Sequence, residues 1–145
     1  MFRCAILAST ILICLGSLSC QSYSTGIQQS VARADETAAT SALHTIASAQ
    51  QTYAASNGGN YATFQQLCES GYLDARFNSG KPEIKGYILG MEVGSASEGP
   101  YYRCNADPVG TGPQAGRHFF LDSSSNALHV NPTQPAAAND PIAQP

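Results

Sequence analysis

Tryptophan is absent, and charged side chains make up only 12% of the 145 residues. The cations after Arg3, namely Arg33, Arg76, Lys81, Lys85, Arg103 and Arg117, are scattered rather than clustered, and the formal net charge is -3. Nothing tracks a phosphate backbone, so no nucleic-acid partner is expected. Patterns that carry chemistry are missing as well. There is no Gly-x-Ser-x-Gly elbow, no cysteine has a histidine beside it in sequence, and the adjacent Asp35 and Glu36 point different ways on a helix. Neither an enzyme nor a bound cofactor is expected. His44 falls on or beside a helical apolar stripe, where a packed or rim histidine is the plain reading. His118 and His129 fall on two strands of an expected hairpin, where they would face each other without a third metal ligand.

Long apolar runs are also lacking. The one run, Ala5 to Leu15, is shorter than the roughly 20 residues a transmembrane helix needs. With Arg3 before it and Ser17-Leu18-Ser19 after it, residues 1–19 read as an export signal. Cys20 is then the candidate lipid-bearing residue of a bacterial lipoprotein, although Ser17 stands where such signals place Leu. Cys4 and Cys14 leave with the signal, so Cys68 and Cys104 remain as a pair. In an oxidising compartment they are a candidate disulfide, which would close a loop of about 35 residues and stabilise by roughly 3–4 kcal/mol. Two separately buried thiols are the alternative. An extracytoplasmic location follows: periplasm, outer membrane or cell surface.

What is present is an amphipathic helix. Ile27, Val31, Ala34, Ala38, Ala42, Leu43, Ile46, Ala49 and Tyr53 recur every three or four residues, and Asn57-Gly58-Gly59-Asn60 ends the run. Residues 20–26 before it read as a polar tether. Thr63 is placed to cap a short helix with Phe64, Leu67 and Cys68 on one face, stopped by Gly71. Strands are expected over Ile84–Val93 and Tyr101–Ala106, with Gly94–Pro100 turning the chain between them. A hairpin is expected from Arg117–Leu121 and Ala127–Val130 around a polar turn. Residues 133–145 form an Ala/Pro-rich tail with too few large apolar residues for a core of its own. The sum is one α+β domain over residues 27–132, a long N-terminal helix packed on a small antiparallel sheet of three or four strands.

The order of elements, together with Leu43, Ile46 and Tyr53, Gly59-Asn60-Tyr61, Gly71-Tyr72-Leu73-Asp74, Gly86-Tyr87, Ala106-Asp107-Pro108, Phe119-Phe120-Leu121-Asp122, Leu128-His129-Val130 and Asp140-Pro141, resembles the globular part of type IV pilin-like proteins. The resemblance is especially to the major pseudopilin of type II secretion. The resemblance spans roughly residues 33–142 and implies a helical stem packed on a small sheet. It also raises the question of calcium in the C-terminal loops, where Asp122 and Asp140 are the available acids. Two carboxylates are few for calcium, and turn capping is the plain reading of Asp122. The family's basic leader, the Gly before its cleavage point and the Phe and Glu after it are not matched. The resulting expectation is an exported pilin-like protein with a structural or protein-interaction role at the bacterial cell envelope, contacting envelope proteins or like subunits, and the membrane through Cys20. The alternatives are a filament subunit that keeps its apolar stem, and a small ligand-binding or adhesion module using loops Gly94–Pro100 and Asp107–Gly116. The tyrosines Tyr72, Tyr87, Tyr101 and Tyr102 read as sheet packing.

Overall fold

The computed structural model describes residues 19–110 and 115–144, with side chains from Gln29 onward. Apart from Ser19, the expected export signal lies outside the described residues.

Helix α1 spans Ser19–Ser56, 38 residues, or about 57 Å at 1.5 Å per residue. It therefore includes residues 20–26, where a tether was expected. Gly26 is the weakest helix former there, and a single Gly costs only about 1 kcal/mol in a helix already nucleated downstream. The helix stops where expected. Gly58 (φ 63°) and Gly59 (φ 85°) take up left-handed backbone, and the Gly59 N–H returns to the Ala54 carbonyl at 2.9 Å.

Thr63 caps α2 (Phe64–Glu69). Its hydroxyl accepts from the Gln66 N–H while the Gln66 side chain accepts from the Thr63 N–H. A 3-10 turn at Ala75–Phe77 then buries Phe77 against Phe64, with ring centroids 6.4 Å apart.

The sheet is antiparallel with order β1-β2-β3-β4-β5: β1 Glu83–Ile84, β2 Tyr87–Ala96, β3 Gly99–Pro108, β4 His118–Asp122 and β5 His129–Asn131. It has five strands rather than three or four. The extra one arises because Lys85 (φ 49°) and Gly86 (φ 72°) form a two-residue turn inside the stretch expected as a single strand. At the other end, β2 and β3 pair through Ala96 and Gly99 and leave only Ser97-Glu98 as the turn. The expected loop Gly94–Pro100 is thus mostly strand, with Ser95 to Glu98 and Pro100 still exposed. In the other expected loop, residues 111–114 lie outside the described residues.

Alternation along β3 puts Tyr102, Cys104 and Ala106 on the buried face and Arg103 on the other, with Asn105 and Asp107 only partly covered there. Opposite that buried face sit Ala39, Ala42, Leu43, Ile46, Ala47 and Ala49 of α1, all buried; the small alanines let helix and sheet approach closely. Tyr87, Leu89, Phe119 and Leu121 complete the layer, each worth roughly 1.5–3 kcal/mol when fully buried. One polar side chain joins them. Gln50 is fully buried, and its amide accepts from the Ala62 N–H at 3.0 Å and donates to the Ala62 carbonyl at 2.6 Å. It acts as a one-residue strand partner for the loop that leads into α2.

Residues 137–143 of the tail are tied to β5 and the residues just before it. Val130 N–H bonds the Pro141 carbonyl at 2.9 Å, Ala143 N–H bonds the Leu128 carbonyl at 2.7 Å, and Ile142 bridges His129. Asp140 fixes this turn by accepting from the Asn131 amide at 3.0 Å and the Ala137 N–H at 2.8 Å. Backbone pairing to an edge strand holds a segment that lacks the apolar side chains for a core.

Candidate interaction site

The apolar stripe of α1 is used along only part of its length. From Ala39 to Gln50 its inward side chains are buried, whereas its earlier members Val31 and Ala34 are exposed, Val31 by 53%. The changeover is at Glu36. One turn before the first buried residue, its carboxylate reaches β4: Oε1 accepts from the Arg117 N–H at 3.0 Å, and Oε2 from Arg117 Nη2 at 2.8 Å and Nε at 3.1 Å. The Glu36 side chain is 15% exposed, so this bidentate pair is shielded on one partner. The hydrogen bond to Glu36 pushes the Arg117 guanidinium to hold its proton still more firmly. The guanidinium also lies over the Phe119 ring, 5.5 Å from its centroid.

Two neighbours shape the clamp. Gly116 (φ 91°) turns the chain so that the Arg117 N–H faces the helix. The Tyr87 hydroxyl donates to the Arg117 carbonyl at 3.0 Å. Burial first, and the Glu36 carboxylate second, push the Tyr87 phenol up to about 12, so it stays a donor at any ordinary pH.

Beside the clamp a cleft of about 860 Å³ opens between α1, the start of β4 and the tail. Arg33, Thr37, Thr40 and His44 line its helix side, Phe119 and Leu128 its floor, and Ala143 and Gln144 its far rim. The Thr37 and Thr40 hydroxyls donate to the Arg33 carbonyl at 2.8 Å and the Thr37 carbonyl at 3.1 Å, which leaves their oxygens as acceptors toward the cleft. His44 is exposed on this rim and has no hydrogen-bond partner among the described residues. The cleft offers cationic, hydroxyl and apolar surface side by side, a mixture suited to protein contact.

The residues singled out from sequence are distributed elsewhere. Cys20 lies in the first turn of α1. Cys68 and Cys104, the pair expected as a disulfide, are both free thiols in this structure. The Cys68 thiol donates to the Asp74 carbonyl at 3.3 Å on the rim of α2, while Cys104 is sealed on the inner face of β3. Burial pushes the Cys104 thiol up to about 12, so the thiolate needed for exchange does not form there. Burial, then Asp74 and Glu69, also raise the Cys68 thiol.

His118 and His129 do not face each other. His118 opposes Asn131, and His129 opposes Phe120. His118 Nδ1 instead meets Asp107 Oδ1 at 2.6 Å, with the Asn105 amide also on Asp107, and His129 Nδ1 meets the Asp140 carbonyl at 2.7 Å. Asp122 closes the β4–β5 turn, accepting from the N–H and hydroxyl groups of Ser124 and Ser125. Burial works to raise its pKa, yet these hydrogen bonds outweigh it and hold the carboxyl below the usual carboxylate range. Among the described residues no group of three His, Cys, Asp or Glu side chains is placed to hold a metal. Of the four tyrosines read as sheet packing, Tyr87 and Tyr102 are in the core and Tyr72 packs edge-on against Tyr53 at 5.8 Å, while Tyr101 lies on the open face of the sheet.

Sequence reasoning missed the Glu36–Arg117 clamp and Gln50. An acid on the polar side of a helix and a basic residue 81 positions later carry no local signal that they meet. No helix among the described residues is long and apolar enough to cross a membrane. Compared with family models, curated proteins and solved structures, the chain matches none.

Proposed function

We propose that this chain is an exported, pilin-like envelope protein with a structural or protein-interaction role, and that it works through the projecting part of α1 and the cleft beneath it. The observation that carries this reading is the mismatch between helix and sheet. The stripe is buried from Ala39 to Gln50, yet the helix runs back to Ser19 with Val31 exposed on it. A helix that outruns its own core has a face to give to a neighbour, and the Glu36–Arg117 clamp fixes the angle at which that face is presented. Like subunits and other envelope proteins are the expected neighbours, with Cys20 as the membrane anchor.

The test is site-directed photocrosslinking in the expressing bacterium. A photoreactive residue at Val31 is expected to give discrete adducts with an envelope protein or a second copy, while one at the exposed head residue Gln51 gives none. Equal labelling at both positions, or none at Val31, refutes the role of the helix. Intact-mass measurement of membrane-extracted protein checks the anchor, which requires a chain starting at Cys20 with added acyl mass.

A further inference from the structure

One edge of the sheet is open. β1 covers only the start of β2, through the pairs Glu83 with Ile88 and Ile84 with Tyr87, and the Leu89 N–H is taken by the Pro82 carbonyl at 2.8 Å. From Gly90 to Ala96, β2 has β3 on one side and no strand on the other. Backbone groups alternate in direction along a strand, so the outward Leu89 N–H means that Met91, Val93 and Ser95 also turn their N–H and C=O groups to the free side. Among the described residues nothing bonds to them there.

Sheets usually blunt such an edge with Lys, Pro or a bulge. This stretch has none of the three. Its one charge, Glu92, is drawn back over β3, accepting from the Tyr101 hydroxyl at 2.7 Å with Arg103 at 3.8 Å. Gly94 makes room for that arrangement, since a Cβ on it would lie 2.7 Å from the Tyr101 oxygen.

We propose that this edge joins two copies of the chain, by antiparallel pairing of Gly90–Ala96 with itself about a two-fold axis through Val93. The free stretch begins past Leu89, where Gly80 and Lys81 stand beside Gly90 and Met91 without bonding to them, and it ends at the β2–β3 turn; Val93 is its midpoint, so a second copy pairs over Met91 to Ser95. In this register Val93 pairs with Val93 and Met91 with Ser95, and each of these residues uses the donor and acceptor that the single chain leaves open. Glu92 falls opposite Gly94, so no like charges oppose. The second copy's Ser97-Glu98 turn comes level with Leu89, beside the loop that carries Lys81. Neither Lys81 nor Glu98 has an ion-pair partner among the described residues. The interface goes beyond the function proposed above and uses a different surface from the helix.

Amide hydrogen exchange on the full chain in mild detergent, run from dilute to concentrated protein alongside sedimentation, tests it. Dimer is expected to form with concentration, and the Met91, Val93 and Ser95 amides to slow about tenfold or more with it, while the neighbouring β3-bonded amides keep their rates. Ser95→Pro, at an exposed edge position where no intrachain N–H bond is lost, is expected to leave the protein monomeric. A dimer whose edge amides still exchange fast places the interface elsewhere and overturns the proposal. So does a chain that stays monomeric at every concentration, which would leave the edge to an extended segment of another protein.

Discussion

Replacing Gln50 with leucine keeps the volume of a buried helix residue and removes its amide. In the native protein that amide satisfies both backbone groups of Ala62, itself fully buried, and its Nε2 also lies 3.1 Å from the Met91 sulfur. Leucine adds apolar burial but strands one N–H and one C=O, each costing about 1–3 kcal/mol without a partner. The net expectation for Gln50→Leu is a loss of about 2–4 kcal/mol, allowing for the gain from leucine. Urea unfolding followed by circular dichroism measures this as a lower midpoint at unchanged slope. Gln50→Glu separates the hydrogen bonds from the packing. A buried carboxyl has its pKa raised above the unfolded value of about 4.3, so its stability relative to wild type should be best below that value and fall as pH rises through it. A Gln50→Leu midpoint within about 0.5 kcal/mol of wild type would refute the reasoning, because it would mean that Ala62 finds other partners at no cost.

Gly116→Ala should destabilise by about 1–3 kcal/mol, because it places a side chain at φ 91° and drives a Cβ into the Tyr87 hydroxyl; thermal unfolding reads it, and an unchanged midpoint would show that the clamp corner is slack. Asp122 has a lowered pKa, so its stabilisation is present above the unfolded carboxylate value of about 3.9 and is lost as pH falls through the lower folded value. Asp122→Asn should therefore cost about 1 kcal/mol at neutral pH, and the gap to wild type should close in acid; a gap that persists there points to packing instead. In native protein kept free of reductant, peptide-mapped alkylation should modify Cys68 and spare Cys104 until denaturant is added. Recovery of the two as a linked peptide would reinstate the disulfide.

Local periodicity and local chemistry were legible in the chain. The α1 stripe from Ala39 to Tyr53, the Asn57–Asn60 stop, the Thr63 cap and the Asp122 turn are each specified by residues within a few positions of one another. A sequence therefore determines them unaided. Strand ends were less legible, because Lys85-Gly86 and Ser97-Glu98 are weak turn signals that strand pairing overrides or confirms. Only the tertiary structure decided that the stripe is covered from Ala39 and bare at Val31, that Glu36 meets Arg117, that Gln50 belongs to the core, that the tail pairs with β5, and that Cys68 and Cys104 stay apart. The reason is common to all five. Each depends on which surfaces the folded sheet brings against the helix, its loops or its own edge, and residues far apart in sequence carry no local pattern that encodes that meeting.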